Sequence, residues 1–146
     1  MFQVDFDTTR MSYAELLALV WGNRRGGHSY GRQYMEAVFC ANAAQEEAAR
    51  ARGIAAIITG APFHFAEDYH QKYYLRRDKL LMRELAGYSP SQFVESTVAA
   101  RLNGYVAGKG TLAQLRDEIA SLGLSPTART HLEQLVGGRE RPQRTA

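Results

Sequence analysis

Residues 63–77, FHFAEDYHQKYYLRR, place Phe63, His64, Phe65 and the carboxylates Glu67 and Asp68 ahead of Tyr69, His70, Tyr73 and Tyr74. Three cations, Lys72, Arg76 and Arg77, are interleaved or follow at once. A helix needs no such mixture to be soluble, and a core rejects so many polar tips. Taken as a helix over 67–74, the stretch sets Asp68 and Gln71 three apart and Tyr69 and Tyr73 four apart. Asp68 and Tyr73 then converge near its first turns. A carboxylate and a phenol in that position suit binding of, and proton donation to, a small polar ligand. The same pattern also fits an aromatic stripe laid on a sheet, with Asp68 serving only as a first-turn acid. On the residues alone both readings stand.

Other chemistry has less to build on. Cys40, the single cysteine, ends the apolar run VFC and reads as an inert core thiol. His64, Asp68 and His70 match no zinc signature, so no metal is expected. The glycine-rich GNRRGGHSYG, residues 22–31, lacks both the GxGxxG and the GxxxxGK pattern and reads as a surface loop, so no cofactor is expected either.

The elements that must carry residues 63–77 follow from periodicity and capping. FQVDFD (2–7) alternates like a half-buried strand. Ser12 and Glu15 form a capping box, and Leu16 with Val20 and Leu17 with Trp21 repeat on the inner face of the helix it opens. MEAVFC reads as a strand, ANAAQEEAARARG as a helix ended by Gly53, and IAAIITG as a buried strand. Beyond Gly87 short helices start at Ser89-Pro90, Thr111 and Ser125-Pro126, loosely joined through NGYVAGKG. Strand and helix periods alternating in this way predict an α+β fold with a C-terminal helical appendage. The boundaries fall at residues 1–88 for the α+β part, 89–137 for the appendage and 138–146 for a disordered tail.

The 146 residues are 45% hydrophobic and 23% charged, an ordinary globular balance. No apolar run reaches the roughly 20 residues that cross a bilayer. The N-terminus has neither the basic start nor the apolar core of a signal peptide, and with one cysteine a cytoplasmic location is expected. The net charge of +3 gathers at Arg24 and Arg25, Arg76 and Arg77, and Arg139, Arg141 and Arg144. That excess reads as solvated surface rather than a nucleic-acid footprint.

AEDYHQKYYLRR resembles the signature segment of the peptide methionine sulfoxide reductase A family, in which A-E-D-Y/D-H-Q-x-Y recurs. VDFD followed by MSYAELLALVW is similar to the strand and the I-S-Y-x-x-L-L-x-x-F-W helix of that family. GRQYMEAVF resembles its G/S-x-Q-Y-x-S-A-I/V-F/Y stretch, and FVESTVAARLNGYVAG resembles the C-terminal extension of one branch. The collinear likeness runs from about Val4 to about Gly108.

The resemblance implies a thiol-dependent reductase of methionine-S-sulfoxide, free or in proteins, with thioredoxin or another thiol as reductant. It implies an incomplete version of the two-layer α/β sandwich of that family, with a ferredoxin-like core. By match to the signature, Asp68 would orient substrate and water, Tyr73 would hydrogen-bond the sulfoxide oxygen, and His70 would line the same site. The nucleophilic cysteine of the family sits in a G-C-F-W-G motif, and a glutamate protonates the departing oxygen. Neither occurs among these 146 residues, and Asn23-Arg24-Arg25 stands where the family has H-D-P. The expectation is therefore an N-terminally truncated chain, inactive alone. The alternative is a non-catalytic relative that binds a sulfoxide or a protein.

Overall fold

The computed structural model describes residues 3–23 and 36–140. The chain divides into two compact units, residues 1–64 and residues 65–146.

The first unit contains α1 (Tyr13–Gly22), β1 (Val38–Cys40), α2 (Ala43–Ala51) and β2 (Ile57–Thr59). Ser12 opens α1 with the expected box: its hydroxyl accepts from the Glu15 amide at 3.2 Å, and the Glu15 carboxylate accepts from the Ser12 amide at 2.8 Å. Of the two predicted stripes, only Leu17 with Trp21 turns inward, whereas Val20 is exposed. Asn42 caps α2, and Gly53, at φ +74°, ends it in the left-handed conformation that glycine adopts without strain. β1 and β2 pair in parallel, with Val38 opposite Ile57 and Cys40 opposite Thr59, so strand, helix and strand form one βαβ unit. Helices with a small parallel sheet are compatible with the α+β expectation.

Residues 3–7 form no strand, and Val4 is exposed, because no described residue offers a neighbouring ladder to satisfy their backbone groups. β2 is half-buried rather than buried. Among the described residues the buried centre of this unit is small, made of Leu17, Cys40, Ala49 and Ile54. The glycine-rich loop from Arg24 onward lies outside the described residues.

The second unit is helical: α3 (Tyr73–Arg76), α4 (Lys79–Glu84), α5 (Pro90–Glu95), α6 (Thr97–Val106), α7 (Leu112–Glu118), a 3-10 turn (Ile119–Leu122) and α8 (Pro126–Glu140). Ser89 and Thr111 form the predicted capping boxes, with Pro90 at the first position of α5. One core of Leu75, Leu81, Leu102, Leu115, Leu132 and their neighbours joins all these helices. NGYVAGKG is not a loose joint. Asn103 to Val106 form the last turn of α6, and Tyr105 is buried in the core. Helix α8 continues through Gly138 to Glu140, while residues 141–146 of the expected tail, Arg141 and Arg144 among them, lie outside the described residues.

Polar side chains tie the helix ends of this unit. The Glu84 carboxylate at the end of α4 accepts from the Ser125 amide and hydroxyl, each at 2.8 Å, just ahead of α8. Arg139 donates to the carbonyls of Tyr105 and Val106 at 3.0 and 2.9 Å, so this cation caps the end of α6 rather than adding to a free basic surface. Glu118 binds both Arg101 and the Tyr105 hydroxyl. Burial first, then the hydrogen bond to Glu118, push the Tyr105 phenol up to about 12. Tyr105 is thereby held at its hydroxyl and at its carbonyl, and Gly110 lies close to its ring. A Cβ at Gly110, at φ +100°, would lie 2.8 Å from Tyr105 Cε1.

Gly110→Ala is therefore expected to destabilise the protein by about 2–3 kcal/mol, from overlap and left-handed strain together. Gly53→Ala has the strain without the overlap, since nothing lies within 4 Å of its Cβ position, and is expected to cost about 1 kcal/mol. Urea unfolding of both variants checks the difference; equal losses would show that the Tyr105 ring yields.

Candidate functional site

The segment at residues 63–77 is not the single helix that its spacing predicts. Residues 68–72 form turns, and only Tyr73 onward is helical. The His70 amide donates to the Glu67 carbonyl at 2.9 Å and the Gln71 amide to the Asp68 carbonyl at 3.1 Å. Gln71 Nε2 reaches the Ala66 carbonyl at 3.2 Å, and Arg76 Nε reaches the Gln71 carbonyl at 2.8 Å. These bonds close the segment on itself before it can continue as a helix. Lys72 then adopts φ +53°, a left-handed conformation uncommon for a residue with a side chain. Burial lowers its ammonium below the ordinary value. Tyr69 and Tyr73 consequently do not share a helix face; Tyr69 instead lies against His70, ring centroids 4.1 Å apart.

Helix α3 therefore begins without a cap of its own, since Lys72 supplies no side-chain bond. The cap comes from α6. Asn103 Oδ1 accepts from the amides of Tyr74 and Leu75 at 3.0 and 3.1 Å. On the inner side of α3, Leu75 is wholly buried, and the Arg76 guanidinium lies 4.5 Å from the centre of the Phe93 ring. On the outer side, Tyr73 and Tyr74 stand edge to face, 5.4 Å between centroids, and both are about half exposed. Arg77 lies over the Tyr73 ring at 5.6 Å, and its Nη1 donates to the Tyr73 hydroxyl at 3.4 Å.

The predicted site residues are thus brought to one short stretch of surface. Asp68 and His70 lie exposed on the turns, and Tyr73 is the first residue of α3. The chemistry this permits is specific. The Tyr73 oxygen receives a donor from Arg77, so its own proton remains to be given to an acceptor. Asp68 offers an acceptor on the preceding turn. Phe65, Tyr69, Tyr73 and Tyr74, between 48% and 68% exposed, add apolar area around them. Asn103 and Arg77 were missed by sequence reasoning. The only signal for Asn103 was the pair Asn103-Gly104 inside a helical pattern, which local propensity disfavours.

Cys40 belongs to the other unit, on β1 and buried to 5% exposure. Burial, and then the neighbouring Cys40 sulfur, push the Tyr13 phenol up to about 12. Among the described residues no three His, Cys, Asp or Glu side chains gather in a group fit to hold a metal ion. No helix among them is long and apolar enough to cross a membrane.

Past Arg77, Asp78 starts α4 by accepting from the amides of Leu80 and Leu81, each at 3.1 Å, and pairs with His131 Nε2 at 2.7 Å. Burial works to raise the Asp78 carboxyl, but the His131 hydrogen bond and the capped amides outweigh it and hold the group below its ordinary value.

Comparison with known proteins gives a consistent result. The family model for peptide methionine sulfoxide reductase matches residues 1–102. The chain is 35% identical over 159 residues to a Drosophila melanogaster peptide methionine sulfoxide reductase, an alignment covering 94% of this chain and 63% of the relative. It is 37% identical over 91 residues to a Rhodospirillum centenum peptide methionine sulfoxide reductase, covering 48% of this chain and 42% of the relative. It is 34% identical over 92 residues to the human mitochondrial peptide methionine sulfoxide reductase, covering 49% and 39%. The chain thus spans less than two thirds of the length of these relatives.

The Asp78 pairing gives a pH dependence of known sign. A carboxylate held below its ordinary value of 3.8 adds stability that is full above that value and is lost as pH falls through it toward the folded-state value. Asp78→Asn is expected to cost about 1 kcal/mol at pH 7 and progressively less between pH 5 and pH 2. Urea unfolding along that pH series checks it, and a pH-independent difference would show that the Asp78 charge adds nothing to stability.

Proposed function

The chain belongs to the peptide methionine sulfoxide reductase family, and from that premise we propose that residues 63–77 form the sulfoxide-receiving side of such a reductase site. One observation carries the proposal. Tyr73 is half exposed with its oxygen already accepting from Arg77, so its hydroxyl proton points to a ligand that accepts and does not donate. A sulfoxide oxygen is such an acceptor. Tyr73 donates to that oxygen, Asp68 orients a water or the substrate amide, and His70 lines the same surface. As electron density moves onto the oxygen during reduction, the Tyr73 hydrogen bond strengthens, which is the supporting role of an acid that does not itself break the sulfur–oxygen bond.

On this reading the substrate is methionine-S-sulfoxide, free or in a protein, and the reductant of a complete site is thioredoxin or another thiol in the cytoplasm. The βαβ unit is then part of the family's two-layer sandwich with its ferredoxin-like core. By resemblance, residues 1–88 correspond to the reductase-like part, 89–137 to its helical extension and 138–146 to a tail, a division that cuts across the single core joining α3 and α4 to α5–α8 and across the end of α8. G-C-F-W-G is absent from the 146 residues and Cys40 is buried, so the chain by itself binds the sulfoxide without turning it over. A non-catalytic sulfoxide- or protein-binding relative is the second reading. The exposed aromatics of residues 65–74 favour it, because a peptide chain around an oxidised methionine would find apolar area there.

Calorimetric titration with methionine sulfoxide is expected to show binding that Tyr73→Phe weakens on the order of tenfold, the worth of one hydrogen bond. No dithiothreitol-dependent reduction is expected from the chain alone. Steady reduction that disappears in Cys40→Ser would instead make Cys40 the nucleophile.

A further inference from the structure

We propose that Asn103 is a positioning residue for the Tyr73 phenol, acting from α6 through the backbone of α3. The proposal rests on the sulfoxide-binding reading of Tyr73 given above.

The first amides of any helix lack partners within it, and a helix of four residues consists almost entirely of such ends. The chain leaves them uncapped from its own side, because the left-handed turn at Lys72 brings no side chain to them. Asn103 Oδ1 takes two of them at once, at 3.0 and 3.1 Å, from 28 and 29 residues away in sequence. Where α3 begins, and hence where Tyr73 leaves the turn carrying Asp68, is therefore decided by an atom of α6.

That atom is well placed to decide it. Its helix is anchored by buried Ala99, Leu102 and Tyr105. The end of the helix is held by Arg139 on the Tyr105 and Val106 carbonyls, and its Tyr105 hydroxyl is held by Glu118. Asparagine followed by glycine is a poor pair for a helix interior, so local propensity does not account for Asn103. A single carboxamide oxygen facing two amides does. Loss of the oxygen would let the first turn fray and the phenol swing relative to Asp68, and recognition that depends on a directed hydrogen bond is sensitive to such displacements.

The test titrates the full chain with methionine sulfoxide by calorimetry in wild type, Asn103→Leu and Asn103→Asp. Amide hydrogen exchange of Tyr74 and Leu75 is followed in the same proteins. Asn103→Leu removes the acceptor at similar volume and is expected to weaken binding on the order of tenfold while freeing the two amides to exchange. Asn103→Asp keeps an acceptor and is expected to stay within about threefold of wild type in both readouts. Should Asn103→Leu fail to fold by circular dichroism, Asn103→Gln, whose oxygen sits one methylene further out, carries the same expected loss. Wild-type affinity in a folded variant whose amides exchange freely overturns the positioning role, as does an equal loss in the Asp and Leu variants. A wild type with protected amides and no heat of binding overturns the sulfoxide reading of Tyr73, and the ligand part of this proposal with it.

Discussion

Helix α3 has four residues, no cap of its own and the aromatic pair of the candidate site on its outer face. Its existence at that place depends on one carboxamide oxygen, that of Asn103, accepting from the amides of Tyr74 and Leu75. Short helices are marginal in water, because each fixed residue gains little hydrogen bonding for the entropy lost. Tertiary contact must therefore supply both the burial, through Leu75, and the first-turn acceptor. The first turn of α3, which follows the folded turn at residues 68–72, and the last turn of α6 meet at this oxygen.

The same device recurs through the helical unit. Asp78 caps α4 and pairs with His131 of α8; Glu84 at the end of α4 receives the amide and hydroxyl of Ser125; Arg139 closes the end of α6. Each joins a helix end to a residue at least 33 positions away in sequence. Short helices need such closures because their unsatisfied ends are a large fraction of their backbone. The apolar core of Leu81, Leu102, Leu115 and Leu132 gives the burial, and these polar links set how the helices register on it.

The βαβ unit has a different balance. Its buried centre among the described residues is four side chains, and the segment at residues 3–7 carries alternating apolar side chains without forming a strand. Alternation is a statement about which face is apolar, and a strand also needs a neighbouring backbone to bond. That is why FQVDFD misled while VFC and IIT did not: the latter two lie on either side of α2 and pair with each other. The buried Cys40 on β1 fits the small apolar role its surroundings define, beside Leu17, Ala49 and Ile54.

What the sequence determined by itself is what local chemistry encodes. The capping boxes at Ser12, Ser89 and Thr111, the glycine stop at Gly53 and the family likeness carried by AEDYHQKYY all depend on residues close in the chain. The tertiary structure decided the rest. Even the predicted 67–74 helix became turns and a single helical turn partly through local bonds, from the Gln71 and Arg76 side chains to the carbonyls of Ala66 and Gln71 five residues back, while the start of α3 was set by the distant Asn103. The tertiary structure also made NGYV a helix end with Tyr105 buried rather than a joint, and placed Asn103 against the start of α3. Hydrogen bonds spanning some 30 residues leave no periodicity to read, since nothing in the spacing of either partner announces the other.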